Sequence, residues 1–399
     1  MATSAMRMEW RASAAMLKFS SICPRISPNA LASPNAPNST TTHTQKRSLF
    51  VLPFGLDVGL AGMAAYYFTK LRKPDAHNVN GIFGPEAGSK ESEQHPEKVV
   101  RCIAHRGAGL DAPENTLECV ENGCKFIELD VRSSRDGELV LLHDQGLERL
   151  SGSSVSDIHQ MDWESISKID IGATHPNRAK FKEVHLCLLN DALDFLLEKN
   201  VKVIIDVKGD DSLVSICFRK ELPQHRHAAV TCFNPITLYQ IRRKNPQIVG
   251  AISYRPYGFS ALNYDAESGP TNPRFNPLAT MMLRALDSAH ALSWRWAARW
   301  CGVSAVLLHK DVVSPEVSYW RQLGVRCAGW CVNRPLEKLY WRGVLRAPYL
   351  ANTLLGEPDV SIDTHGHART HRHARIRTYM HGHGRICTHS LSNTPVYNY

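Results

Sequence analysis

The sequence predicts an α/β protein built as a TIM (β/α)8 barrel. Three observations carry this expectation. Eight short apolar runs rich in β-branched residues recur between Val99 and Pro358. Helical stretches separate many of them. Charge-bearing residues stand at or just after the ends of several runs, where barrel strands deliver side chains to one mouth.

The expected strands are Val99–Ala104, Phe126–Val131, Leu139–Leu142, Val201–Val207, Ala228–Cys232, Ile248–Ser253, Ala305–Leu308 and Val325–Val332. Asn190–Lys199 and Pro235–Lys244 read as crossover helices. No helix fits between Asp130 and His143, where Asp136-Gly137 marks a tight turn. The long polar segment 144–190 is expected to be a small insertion after the third strand. Together these place a barrel domain over residues 98–358.

The flanks have different characters. Residues 1–47 are rich in Ala, Ser, Asn, Pro and Thr, with Glu9 their only acid, and read as a disordered leader. Asn38-Ser39-Thr40 is a glycosylation sequon if this end reaches a lumen. Residues 48–73 contain a mostly apolar run bracketed by Lys46 and Arg47 before it and Lys70, Arg72 and Lys73 after it. Its length suits a membrane span and its Tyr66 and Tyr67 an interface, whereas Pro53 and Asp57 argue for a helix lying on a membrane surface or packed on the domain. Residues 74–97 are polar with scattered Gly and Pro, a linker pattern. Pro277–Gly302 is apolar and aromatic with interspersed arginines, a pattern shared by a membrane-surface helix and a barrel helix. The tail 359–399 is low-complexity sequence rich in His, Arg and Thr and holds seven of the nineteen histidines.

Composition excludes some classes. The chain has 399 residues, 43% of them hydrophobic, enough for a core of barrel size. Net charge is +9, but four of those charges come from the tail beyond Ile362, so the balance is no signature of nucleic-acid binding. Eleven cysteines are scattered without a CxxC pair, and Cys102, Cys217 and Cys232 lie in apolar runs as small hydrophobes. No disulfide framework is expected.

The chemistry concentrates in three places. His105-Arg106 follows the first run, Glu128 and Asp130 lie in the second, and His143-Asp144 follows the third. Two histidines can pass protons. Glu128 and Asp130 are two apart on a strand and share a face. Burying them together calls for a counter-charge, either a hard cation or Arg106. Asp206 and Lys208 repeat that spacing in VIIDVKG and supply a third carboxylate and another positive group for a phosphate. Glu114 and Asn115 in PENT stand where a helix should start after the first strand; Asn115 is placed to cap it, Glu114 to line the pocket. The combination points to metal-assisted phosphodiester hydrolysis.

In this order, HRG, PENT, ELD, HD, DVKG and GWCVN resemble the motifs of the glycerophosphodiester phosphodiesterases, metal-dependent TIM-barrel enzymes, from about Val99 to Gly356. The resemblance is to the membrane-associated animal branch, which acts on glycerophosphoinositol and related deacylated phospholipids. It implies His105 and His143 as the acid–base pair. It implies Arg106, Lys208 and Trp330 as substrate contacts, and Glu128, Asp130 and Asp206 as ligands of a divalent metal, Mg2+ or Ca2+. GWCVN resembles the family's last strand. The sequence departs from the family pattern in a segment from Thr116 to Glu128 shorter by about one helical turn. Asp206 stands where many relatives carry Glu, and Ala351-Asn352-Thr353 replaces a Thr-Asp pair.

The expected reaction is hydrolysis of a glycerophosphodiester to glycerol phosphate and an alcohol such as inositol. The alternatives are lysophospholipase D action on lipids that keep one acyl chain, and an inactive membrane-associated binding partner. The expected location is a membrane, endomembrane or plasma membrane, reached by a single N-terminal anchor or peripherally.

Overall fold

The computed structural model describes residues 54–121, 123–208, 227–261, 264–265, 269–270, 276–311, 314–355, 360–362 and 368–370. Its main sheet contains β1 (Cys102–Ala104), β2 (Phe126–Ser133), β3 (Leu139–Leu141), β4 (Lys202–Val207), β5 (Ala228–Cys232), β6 (Val249–Tyr254), β7 (Ala305–His309), β8 (Arg326–Trp330) and β9 (Tyr349–Ala351). The helices that matter here are α1 (Phe54–Thr69), α2 (Ala76–Phe83), α3 (Glu118–Glu121), α4 (Leu189–Glu198), α5 (Pro235–Lys244), α6 (Pro277–Trp300) and α7 (Ser314–Gln322).

Eight of the described strands close a parallel barrel in the order β1-β2-β4-β5-β6-β7-β8-β9, with β9 returning to β1. The third predicted strand is not among them. β3 runs antiparallel to the upper half of β2, pairing Val131 with Leu141 and Ser133 with Leu139. A turn as tight as Asp136-Gly137 can only return the chain antiparallel; a parallel neighbour needs a crossover. The eighth barrel strand is β9, a three-residue run too short to stand out as a pattern. GWCVN is therefore the seventh strand and its exit rather than the last.

Strand pleating sorts the side chains. One set packs outward against the helices in the larger core cluster, including Ile127, Leu129, Val203, Ile205, Val230 and Val306. The other fills the barrel: Ile103, Phe126, Ile204, Ala229, Ala251, Leu307, Ala328 and Leu350. Two residues further along every strand but β8, which presents Trp330, the inward side chains become polar: His105, Glu128 and then Asp130, Asp206, Thr231, Ser253, His309, and Asn352 beyond β9. The barrel thus has an apolar floor and a polar top layer.

The stretch 74–97, polar enough to read as a linker, holds α2, which closes the barrel's lower mouth. Ile82 and Phe83 are buried in the interior cluster, and the Phe83 ring lies 6.0 Å from Phe126. Only two large apolar residues were needed, too few for a visible amphipathic pattern. The segment 144–190 has its own core of Leu147, Leu150, Ile158, Ile166, Ile171, Val184 and Leu186, joined by Val140 and Leu142.

Within 48–73, α1 covers 16 residues. At 1.5 Å per residue that is about 24 Å, short of the roughly 30 Å hydrocarbon core. No described helix is long and apolar enough to cross a membrane. The leader 1–47 with its sequon at Asn38 lies outside the described residues. So does most of the tail 359–399, of which Val360–Ile362 pairs antiparallel with Ala368–Thr370.

Candidate active site

Register assembles the site. Ala104 pairs with Ala351 and with Ile127, so the next residue, His105, stands between Asn352 and Glu128. Asp130 pairs with Asp206 across β2 and β4. Contacts follow these neighbourhoods. His105 Nδ1 donates to Asn352 Oδ1 at 2.6 Å, and His105 Nε2 lies 3.9 Å from Glu128 Oε2. Lys208 Nζ bridges Asp130 Oδ1 and Asp206 Oδ2, the latter at 2.8 Å.

The turn after β1 is left-handed at three successive residues, Arg106 (φ 50°), Gly107 (φ 75°) and Ala108 (φ 60°). Two of these are not glycine and cost about 1–2 kcal/mol each. The conformation is held from outside. Arg106 N donates to Glu128 Oε2 at 2.8 Å, and Arg106 O accepts from Asn115 N at 2.7 Å. A side chain at Gly107 would approach Thr116 O to 3.0 Å. The turn leaves the Arg106 guanidinium over the acids, Nε 3.8 Å from Asp130 Oδ2 and Nη1 3.6 Å from Glu114 Oε1.

The helix expected to start at PENT begins later, at Glu118, and runs for only four residues. Asn115 is therefore no helix cap. It is itself left-handed (φ 58°) and locks onto Asp130 reciprocally: its Nδ2 donates to Asp130 Oδ2 at 2.9 Å and its Oδ1 accepts from Asp130 N at 2.8 Å.

His143 reaches the mouth on β3 rather than on a barrel strand. Leu142 N donates to Asp130 O, and Arg132 Nε to His143 O, both at 3.0 Å, so the residue is carried on the upward extension of β2. Its Nδ1 donates to Asp144 Oδ1 at 2.7 Å.

The electrostatics are those of buried, competing charges. Burial, reinforced by Asp130 and Asp206, pushes the Glu128 carboxyl well above the usual range. Burial, with Asp130 adding to it, also raises Asp206 despite Lys208. Burial acts on Asp130 in the same sense, but the positive charges of Lys208 and Arg106 outweigh it and hold Asp130 well below. Burial, aided by Arg106, lowers His105 to about 4. Burial, aided by Lys208, lowers His143 too. Both shifts favour the neutral imidazole, and with each Nδ1–H donated to an oxygen, Nε2 is the atom left to exchange a proton at the mouth.

Glu128, Asp130 and Asp206 each offer an oxygen, and these lie within 4.8 Å of one another. Asp206 Oδ1 is buried with no hydrogen-bond partner. An orphaned buried carboxylate oxygen beside two more carboxylates is the donor set of a hard divalent cation, and these residues fit one.

Trp330 stands on the other side of the mouth. Its indole meets His309 edge-on at 4.6 Å and Phe233 at 5.7 Å, and its Nε1 donates to Tyr254 O at 3.3 Å. Three participants had no assigned role in the sequence reading: Asp144, Arg149 and Asn352. Asp144 was legible as part of HD. Arg149 and Asn352 meet their partners only through the fold.

The sequence model of the glycerophosphoryl diester phosphodiesterase family matches residues 105–349, and the chain belongs to that family. Its relatives include glycerophosphodiester phosphodiesterase 1 of human and cattle, 31% and 32% identical over 275 residues, 65% of this chain and 80% of theirs. A glycerophosphodiester phosphodiesterase of Bacillus subtilis is 31% identical over 62% of this chain and 88% of its own. The protein is thus a phosphodiesterase acting on glycerophosphodiesters.

Proposed function

We propose that the enzyme hydrolyses small glycerophosphodiesters such as glycerophosphoinositol to glycerol 3-phosphate and the free alcohol, with a divalent cation, Mg2+ or Ca2+, held by Glu128, Asp130 and Asp206. The observation that carries the reading is the orphaned Asp206 Oδ1 beside the other two carboxylates, with His105, His143 and Arg106 at the same mouth. A bound cation supplies Lewis-acid polarisation and charge neutralisation at the phosphoryl group.

The protein's own groups do the rest. Arg106 and Lys208 place positive charge where the transition state gains negative charge. The paired histidines act at Nε2: one, neutral, takes the proton of the attacking oxygen, and the other, as the imidazolium that the anionic diester favours, gives its Nε2 proton to the departing alkoxide. Glu128, a poor acid to leave ionised alone, orders the Arg106 backbone N–H and so fixes the turn. Trp330 and Phe233, in edge-to-face contact, form an aromatic wall on one side of the mouth.

Turnover of glycerophosphoinositol and glycerophosphocholine by the purified full chain, in Mg2+, Ca2+ or EDTA, tests the reading. Metal-dependent release of glycerol phosphate, lost in His105→Ala, is expected. Equal turnover in EDTA overturns the metal assignment.

A second reading, lysophospholipase D action at a membrane, is favoured by one observation. On α1, the apolar residues Leu60, Met63, Tyr67 and Phe68 are exposed. α6 lies alongside, with Tyr66 5.5 Å from Trp296, and exposes Leu278, Met281, Met282 and Leu286. Such a face suits lipid, with endomembrane or plasma membrane as the location. Turnover that rises with acyl-chain length on vesicles supports it; preference for the deacylated diester excludes it.

A further inference from the structure

Arg149 belongs to the inserted segment, five residues beyond Asp144, and neither its sequence position nor the proposed chemistry gives it a task. All three of its guanidinium nitrogens nevertheless donate to a carboxylate. Nη1 and Nη2 grip the two oxygens of Glu114 at 2.9 and 2.6 Å. That bidentate grip fixes the plane of the group. Nε then points at Asp144 Oδ2, 2.6 Å away. The other oxygen of Asp144 accepts from His143 Nδ1 at 2.7 Å. Glu114, Arg149, Asp144 and His143 form one continuous chain of charge-assisted hydrogen bonds.

We propose that Arg149 is a positioning residue for His143: anchored by Glu114, it holds the Asp144 carboxylate in the one orientation that keeps the imidazole's Nε2 on the reacting atoms. Asp144 needs such a hold. It follows His143 directly, is one-third exposed, and has water as a competitor for its second oxygen. Lysine cannot substitute, because one ammonium nitrogen has no fork with which to grip Glu114 while reaching Asp144.

The guanidinium is not what holds this part of the chain in place. The Arg149 carbonyl accepts from Thr174 Oγ1 at 2.7 Å, and the flanking Leu147 and Leu150 are buried in the insertion's own core. Truncating the side chain leaves those anchors intact, so its effect falls on His143 rather than on folding.

The proposal rests on His143 as a proton-transfer group, so the test carries His143→Ala beside Arg149→Ala, Arg149→Lys and the double variant, all in the full chain. Loss of a group that orients a functional side chain typically costs about 10–100-fold. Arg149→Ala is expected to lose that much kcat with little change in KM. Guanidinium ion added to Arg149→Ala restores part of the loss and methylammonium does not. Arg149→Ala adds nothing to kcat loss in the His143→Ala background. Arg149→Lys, which keeps the charge, melts like the parent and still loses kcat; it carries the test if Arg149→Ala does not fold. Wild-type kcat in Arg149→Lys, or independent multiplicative losses in the double variant, overturns the proposal while leaving His143 in its role. Full activity in His143→Ala overturns the assignment of His143 and the proposal with it.

Discussion

His105 is held by Asn352 from the far end of the chain: Nδ1 and Oδ1 are 2.6 Å apart across 247 residues of sequence. The bond exists because β9 returns to pair with β1 and sets the two residues side by side just above Ala104 and Ala351. An amide oxygen fixes the same tautomer that a carboxylate would, but without a negative charge to stabilise the imidazolium. Asn352→Ala frees the ring, and a loss of about 10–100-fold in kcat is expected with little change in KM. Asn352→Asp keeps the orientation and supplies the charge, so the acid limb of the kcat profile moves to higher pH. A profile unchanged by Asn352→Asp shows that His105 does not set that limb.

Burial of a neutral His105 also links stability to pH. Its folded-state value of about 4 lies below the ordinary histidine value of about 6.5. The unfolded chain therefore binds the extra proton between those values, and stability falls as pH drops from about 6.5 towards 4. The full effect is on the order of 3 kcal/mol. Urea midpoints measured over this window for the parent and His105→Gln check it: the variant's slope with pH is shallower. Equal slopes assign the acid lability to other groups.

Cation binding is expected to stabilise the fold as well as activate it. At 100 times Kd a bound ion contributes about 2.7 kcal/mol. Melting of the full chain with and without Mg2+ or Ca2+ reports this directly, independent of turnover. Asp206→Asn removes a charged donor, so the cation-induced rise in Tm shrinks. An unchanged rise in Asp206→Asn places the ion elsewhere.

Trp330 depends on its neighbour. Gly329 has no side chain because the Trp341 ring is packed against its outer face, where an added Cβ would come within 2.6 Å. Gly329→Ala displaces either the tryptophan or the strand, at a cost of about 1–3 kcal/mol. Because Trp330 is next in the chain, KM is expected to rise along with the loss of stability. Chemical denaturation and steady-state kinetics on the one variant read both.

The lower mouth offers a test of the closure by α2. Phe83→Ala removes a buried ring packed on Phe126 and is expected to cost about 3–5 kcal/mol, with kcat of the folded fraction preserved because the site is at the opposite end. Loss of less than about 1 kcal/mol means that α2 is not a fixed part of the barrel.

What the sequence determined by itself was whatever local pattern controls. Period-two alternation put Glu128 and Asp130 on one face, and Asp206 with Lys208 on another strand, before any pairing was known. Apolar runs marked seven of the eight barrel strands, and the order of HRG, ELD, HD and DVKG pointed to the family. Tertiary structure alone decided the rest, because those facts depend on which strand lies beside which. A three-residue β9 is stabilised by β1 and β8 rather than by its own composition. β3 turns out of the barrel because its connection is too short to cross over. Asn115 abandons the helix for Asp130 since the buried carboxylate offers a stronger partner than a helix end. Asn352 reaches His105, and Arg149 reaches Asp144 and Glu114, by contacts that no local spacing encodes.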